Sequence, residues 1–308
     1  MRILLTGSSG VVGTYVLFYL LDQGHKVIAV DRTPLPSETF KNLSSKYPDL
    51  SSILETEEVD LTSIEGVKTL FGKYGDIEGV IHLAAIPDPL HHDPRFVHNS
   101  NVSVSYNVLY TAAERGIKRI VQASSVNQTG LAYTREGRQW FGVIPITEEE
   151  EGHAEDPYAL SKIICEAQAT IICRRFADDD VRITSLRFHH VLQTSQEAEA
   201  YSKADEFWAW TSSLAASQAC LLGLTSTGWT GHEAFNIVAP DIATPKTMLQ
   251  NGQDEDIGSL ELFAKSWDGK IGTVREIHRD WWDGEGNSKR GFWDCSKAEK
   301  MLGWKHNV

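Results

Sequence analysis

Thr6-Gly7-Ser8-Ser9-Gly10-Val11-Val12-Gly13 is the stretch on which the fold turns. It follows an apolar run, Arg2 to Thr6, and opens a segment with Val16, Leu17, Leu20 and Leu21 at helical spacing. Strand, glycine turn, helix is the context in which such a loop binds phosphate. Glycines let the backbone turn tightly and approach a pyrophosphate. The helix N-terminus then offers free N–H groups and the positive end of its dipole. The spacing is GxxGxxG rather than GxGxxG. Gly7, Ser9, Gly10, Val11, Val12 and Gly13 are therefore expected to hold a dinucleotide. A plain glycine turn is the competing reading. It loses on the strand–helix context and on the position at the start of the chain.

Working outward, the helix is expected over Gly13 to Gln23, with Gly24 as its C-cap. Further short apolar runs lie at Lys26 to Val30, Glu58 to Leu61, Gly79 to Ala84, Arg119 to Ala123, Arg182 to Leu186 and Ala234 to Val238. Several are apolar on both faces, as strands covered by helices on two sides are. Strand alternating with helix predicts an α/β fold, a parallel doubly wound sheet. Asp31 ends the second run, close to the roughly 20 residues after the last glycine at which a carboxylate meets the adenosine ribose. A carboxylate accepts from a 2′-hydroxyl and repels a 2′-phosphate, so NAD is favoured over NADP. Arg32 next door is able to pair a 2′-phosphate and keeps NADP open.

The regularity breaks after about residue 188. The domain reading is residues 1–188 as a dinucleotide-binding domain, completed by a strand near 233–239. Residues 189–232 and 240–308 then form a smaller substrate-binding lobe with few clean strands. The acidic stretch Glu148 to Glu151 reads as a solvated loop.

The 308 residues suit two domains or one large α/β domain. A net charge of −13 argues against nucleic acid or an anionic membrane as partner, while leaving room for a small anionic ligand in a local pocket. The apolar stretch Val11 to Leu21 is shorter than the roughly 20 residues a bilayer needs, and no small-x-small cleavage site follows the first residues. Cys165, Cys173, Cys220 and Cys295 form no CxxC pair. Reduced thiols and a cytoplasmic location are the simplest reading.

Tyr158 and Lys162 make a YxxxK. At i and i+4 the two side chains share a helix face. Lys162 is then able to stabilise tyrosinate, lowering a pKa that starts near about 10 and making a general base. Asp156-Pro157 is a fair helix start. Ser124 and Ser125 sit at the C-terminal end of the run from Arg119, where α/β folds bind ligands.

Taken together the residues resemble the extended short-chain dehydrogenase/reductases, the NAD-dependent epimerase/dehydratase group. The resemblance rests on the GxxGxxG, Asp31, Asp60-Leu61, His82-Leu83-Ala84-Ala85, Asn101, Ser124-Ser125, Tyr158 with Lys162, Arg187, and Asp294 to Ala298 with Leu302-Gly303-Trp304. It implies a Rossmann-type sheet with a small C-terminal lobe. It further implies Asp60 and Leu61 at the adenine, and Leu83, Ala84 and Ala85 along the pyrophosphate and ribose. Asn101, Ala123, Phe188 and His190 complete the cofactor set. Tyr158 would be the acid/base, Lys162 would hold ribose hydroxyls, and Ser125 rather than Ser124 would bind the reacting oxygen. The implied reaction is hydride transfer between a substrate carbinol and the nicotinamide. A homodimer through the Tyr158 helix and its neighbour is implied as well.

Departures from the family pattern narrow the substrate. Nucleotide-sugar epimerases carry Arg-x-x-Asn-x-x-Gly where this chain has Arg187 to Gln193, with His190 in place of the Asn and no glycine. The Ser-Ser segment is similar to that of uronate-type sugar dehydrogenases, although Val126 and Asn127 follow the second serine here. The expected activity is NAD-dependent oxidation or reduction of a small polar or sugar-like molecule, with Ser125, Asn127, His189 and His190 at the substrate. The alternatives are an epimerase or dehydratase that keeps its NAD, and a non-catalytic dinucleotide sensor. His91, His92, Asp93 and His98 match no compact zinc spacing, and no metal is expected. Trp208, Trp210, Trp281, Trp282 and Trp293 read as core or interface.

Overall fold

The computed structural model describes residues 1–244, 257–267 and 270–307. The parts of the expected lobe at 245–256, 268–269 and 308 lie outside the described residues. Seven parallel strands form the central sheet. They are β1 (Arg2–Thr6), β2 (Lys26–Asp31), β3 (Leu54–Glu58), β4 (Gly79–His82), β5 (Arg119–Ser125), β7 (Arg182–Phe188) and β10 (Gly231–Ile237), with β6 (Gln139–Ile144) outside the sheet. The order is β3-β2-β1-β4-β5-β7-β10. The chain runs outward from β1 in one direction, then crosses to β4 and runs the other way. This leaves a crevice at the C-terminal ends of β1 and β4.

The two-residue alternation of a strand builds two cores. Ile3, Leu5, Val27, Ala29, Ile81, Val121 and Leu186 point to one face and pack on α1 (Val11–Asp22) through Val16, Leu17 and Leu20. Leu4, Ile28, Val80, Ile120 and Ile183 point to the other. They meet α4 (Ile64–Lys73), α5 (Pro94–Glu114) and α6 (Pro157–Arg175). Each fully buried Leu or Ile here contributes about 1.5–3 kcal/mol.

Four placements differ from the sequence reading. The third strand is Leu54–Glu58 rather than Glu58 to Leu61. It is an edge strand whose Glu55, Thr56 and Glu58 are exposed, so a search for apolar runs passes over it. The helix Ser213–Thr225, inside the span expected as lobe, lies on the sheet through Ala215, Ala216, Ala219 and Cys220. The helix Ser296–Leu302 and Trp304 join the same core. Conversely β6, inside the span expected as the first domain, pairs in parallel with β11 (Gly272–Ile277) in a separate two-stranded sheet.

The lobe core is aromatic. Phe207 stacks on Trp267 at 4.7 Å and packs against Phe141 at 5.2 Å and Phe292 at 5.0 Å. Trp208, Trp282 and Trp293 are buried in the same cluster, and Trp210 in a smaller one. The Glu148–Glu151 loop is not wholly solvated. Glu148 accepts from the Asn236 N–H at 2.7 Å and Glu150 from the Gly142 N–H at 2.7 Å, which fastens the lobe strand to the sheet. Glu149 and Glu151 are the exposed members.

Candidate active site

The glycine turn is shaped by close packing. Gly7 has φ +72°, and a Cβ there would stand 2.6 Å from the Ala84 nitrogen. A Cβ on Gly13 would stand 2.0 Å from the Gly7 carbonyl oxygen. Gly13 lines neither cavity described below, so it holds the turn closed by absence of a side chain. Gly10 is the N-cap of α1, with no side-chain cap and no acidic residue in the first turn. The helix start is left open, and its dipole is free for an anion.

Two cavities meet at Leu83 and Ala85. The first, about 320 Å³, is lined by Gly7, Ser9, Gly10, Asp31, Arg32, Asp60, Leu61, Ala84 and Asn101 among others. Asp31 accepts from the Ser9 N–H at 3.0 Å and the Arg32 N–H at 2.7 Å, tying the end of β2 to the glycine turn. Hydrogen bonds from Thr62, aided by the charge of Arg32, hold the Asp60 carboxyl below its ordinary value. Asn101 lies 3% exposed with its amide committed. It accepts from the Ile86 N–H at 2.8 Å and donates to the Ile86 carbonyl at 3.0 Å and to Ser161 Oγ at 3.2 Å. It fixes the loop after β4 against α6.

The second cavity, about 990 Å³, is lined by Val11, Val12, Ala123, Ser125, Asn127, Tyr158, Lys162, Phe188, His189 and His190. The sequence reading did not include Asp88, Tyr133, Asp156, Lys203, Asp205 and Glu206, which line it too. Both serines line this cavity, and they have different partners. Ser124 donates to Glu166 Oε1 at 2.5 Å, and Arg187 grips the same carboxylate at 2.8 and 2.9 Å. Ser125 shares the cleft with Tyr158 and hydrogen-bonds to it.

Tyr158 and Lys162 lie on α6, which Asp156 starts by accepting from the Ala159 N–H at 2.8 Å. Lys162 Nζ donates to the Ala123 carbonyl at 2.7 Å and stands 5.6 Å from the Tyr158 ring centroid. Tyr133 meets the Tyr158 ring edge-on at 6.2 Å. The expectation that Lys162 lowers the Tyr158 pKa is not met in the unliganded chain. Burial pushes the phenol up to about 12, outweighing the Ser125 hydrogen bond, and burial also pulls the Lys162 ammonium down. Desolvation disfavours both charged forms at once.

His189 and His190 both reach the cleft. His189 Nδ1 accepts from the His190 N–H at 2.7 Å, and burial pulls the ring down to about 3. The loop histidines are separately employed. Asp93 caps α5, His91 meets Asp88 at 3.0 Å, and His92 packs on Phe96. No group of three His, Cys, Asp or Glu able to hold a metal occurs among the described residues.

Known proteins share this architecture. The chain is 29% identical over 163 residues to a dTDP-6-deoxy-L-talose 4-dehydrogenase (NAD(+)) of Aggregatibacter actinomycetemcomitans, covering 53% of this chain and 52% of that protein. It is 28% identical over 169 residues to the UDP-glucose 4-epimerase of Bacillus subtilis (strain 168), covering 54% and 46%. The chain thus spans about half the length of the curated relatives it matches. Among solved structures, MoeE5 in complex with UDP-glucuronic acid and NAD is similar with a TM-score of 0.68 at 20% identity, covering 100% of this chain and 94% of that one. The UDP-glucose 4-epimerase of Thermotoga maritima with UDP-glucose gives 0.67 at 19% identity, covering 100% and 94%. At such identities these two speak for the fold. The family model described as NAD dependent epimerase/dehydratase family matches residues 3–205. Because that match covers more than half of its residues, the chain belongs to the NAD dependent epimerase/dehydratase family.

Proposed function

We propose that the protein is an NAD-dependent oxidoreductase acting on a carbinol or ketone of a small polar or sugar-like molecule, with Tyr158 as acid/base. The observation that carries this reading is the convergence of Ser125, Tyr158 and Lys162 in a cleft joined to the glycine-turn cavity. A dinucleotide fits the residues present. The uncapped start of α1 and the bare surfaces of Gly7 and Gly10 suit a pyrophosphate, and Asp31 at the end of β2 suits a ribose diol. Leu83, Ala84, Ala85, Ala123 and Phe188 would wall the rest.

Bound there, a nicotinamide supplies the hydride acceptor or donor. The chain supplies the proton chemistry. Ser125 Oγ and Tyr158 Oη bind the same substrate oxygen. In oxidation Tyr158 takes the proton from that oxygen, and in reduction it returns it. The raised pKa keeps Tyr158 protonated in the unliganded chain, ready to donate. The base form is favoured when positive charge comes near, and the Lys162 ammonium is the protein's own source.

The second reading is a sugar epimerase or dehydratase that retains its cofactor. A similarity to a 4-dehydrogenase and to a 4-epimerase at nearly equal identity keeps it in view. Denaturing fresh protein and quantifying released nucleotide separates the two. Empty protein that binds added NAD reversibly supports the dehydrogenase, while near-stoichiometric NAD supports the epimerase or dehydratase. Released NADP would mean that Arg32 outweighs Asp31. Pairing of two copies through α5 and α6 is supported by exposed Phe96, Tyr106, Leu160 and Ile171 on those helices, and sedimentation tests it.

A further inference from the structure

The turn that follows Ser125 brings two further polar side chains to the second cavity, Asn127 and Tyr133. Ser125 Oγ accepts from the Asn127 N–H at 3.1 Å and so starts the turn Val126–Thr129. Gly130 ends it at φ +86°, where a Cβ would stand 2.5 Å from the His153 carbonyl oxygen. The chain is then fastened on both sides of Tyr133. Asn127 Oδ1 accepts from the Ala132 N–H at 3.0 Å, and Thr134 Oγ1 donates to the Gly130 carbonyl at 2.8 Å. Leu131 is buried in the lobe core between them. Asn127 and Tyr133 are thus held by the protein's own bonds before any ligand arrives.

Their remaining polar atoms are unused. A backbone N–H meets only the oxygen of an amide, so the bond to Ala132 fixes which way Asn127 faces. Its Nδ2 has no hydrogen-bond partner among the described residues. The Tyr133 ring packs with Ile86, Val97 and Tyr158, and meets the Tyr158 ring edge-on at 6.2 Å. The Tyr133 hydroxyl likewise has no partner among the described residues. The acidic groups that act on it are Tyr158, Asp88, Glu206 and Asp156, and all four residues line the second cavity. Burial, reinforced by those groups, pushes the Tyr133 phenol up to about 12, so it remains a neutral donor. A tyrosine with a packed ring and an unpaired hydroxyl at a cavity wall has room for a hydrogen bond from the ligand's side.

We propose that Tyr133 and Asn127 determine specificity by binding a second oxygen of the substrate, on a carbon adjacent to the one that is oxidised or reduced. Both border the Ser125–Tyr158 pair that holds the reacting oxygen, which sets that spacing. Ser125 accepts from the Asn127 N–H, so its own proton is free for the reacting oxygen. The substrate class is a vicinal diol or an α-hydroxy carbonyl compound. A lone alcohol takes water from both donors and returns no acceptor, which costs binding. This assignment rests on the reading of the cleft as the seat of hydride transfer at Tyr158.

The test uses the whole protein with NAD and follows NADH absorbance. The probes are pairs that differ by one oxygen beside the reacting carbon. They are D-glucose and 2-deoxy-D-glucose, D-galactose and 2-deoxy-D-galactose, and trans-cyclohexane-1,2-diol and cyclohexanol. The expected result is a kcat/KM about 100-fold higher for the oxygenated member of at least one pair. Tyr133→Phe keeps the ring, and Asn127→Asp keeps the acceptor for Ala132. Each should reduce the ratio to about tenfold, chiefly through KM, the loss of one hydrogen bond apiece. A role in packing alone would change both members of a pair alike and leave the ratio standing. A wild-type ratio near one, or a ratio unchanged in either variant, overturns the assignment and leaves the hydride-transfer reading standing. NAD-loaded protein that oxidises no member of any pair, or that works equally well as Tyr158→Phe, overturns the reading itself.

Discussion

Tyr158 sits under two opposed influences, and their balance sets the chemistry. Burial raises its pKa and the hydrogen bond with Ser125 lowers it, with burial winning in the unliganded chain. Oxidation needs the tyrosinate. Its rate should therefore rise with pH, and Lys162→Met should move that rise to higher pH, because the nearby ammonium no longer favours the anion. Tyr158→Phe should cut kcat by about 10²–10⁴-fold while leaving NAD binding unchanged, as measured by fluorescence titration. The sequence singles out Ser125 over Ser124 by the family spacing, five residues before Gly130, and strand alternation gives the two hydroxyls different partners. Tyr133, Lys203 and Glu206 were not legible. They reach the cleft from segments whose register depends on the aromatic lobe core, which no local pattern encodes.

At the scale of elements, the glycine turn and the pair behind β5 are the two places where one atom decides. A methyl on Gly13 would overlap the Gly7 carbonyl, whereas a methyl on Gly10 would stand 3.3 Å from the same oxygen with φ −76°. Gly13→Ala should lower the melting temperature by several degrees or abolish folding. Gly10→Ala should change it by no more than about 2 °C, since a 1 kcal/mol change is worth roughly 2–4 °C in a chain of this class. Equal effects would contradict the packing argument. Behind β5, Arg187 and Glu166 form an ion pair with side chains 7% and 11% exposed. Burial alone would raise the Glu166 pKa, but the hydrogen bonds and charge of Arg187, with Ser124, hold it below its ordinary value. Glu166→Gln leaves Arg187 without its charge partner and should cost about 3–5 kcal/mol in urea unfolding. The contribution of such a carboxylate is complete above its unfolded pKa and is lost as pH falls through the lower folded value. Elements with a strong local signature, β1 through α1 and the start of α6, were readable from spacing and caps. The edge strand Leu54–Glu58 and the helix Ser213–Thr225 were not. One is charged because it borders solvent, and the other earns its place by a small-residue face that matches the sheet only in three dimensions.

Across the whole molecule the histidines set the acid limit. Burial pulls His82 and His189 down to about 3, and His232 and His306 down to about 4. In the unfolded chain each titrates near about 6.5. Between those values the unfolded state holds a proton that the folded state lacks. Stability therefore rises with pH across that window, by up to about 1.4 kcal/mol per pH unit for each ring. Buried carboxylates oppose this. Glu148, Asp156 and Glu206 are raised by burial, so the folded chain takes their protons first as pH falls. Their unfolded counterparts titrate near about 4, so this compensation acts above that value, at the acid end of the window in which the histidines act. The melting temperature should then hold steady from pH 8 to about 6.5 and fall continuously toward pH 5. His232 bonds Ser185 Oγ at 2.7 Å and Thr170 Oγ1 at 2.9 Å, so a neutral amide is able to replace it. His232→Gln should reduce the slope of unfolding free energy against pH by about one proton between pH 5 and 6. A wild-type stability that stays flat from pH 7 to 5, or a slope unchanged in His232→Gln, would show that these rings are charged in the folded chain.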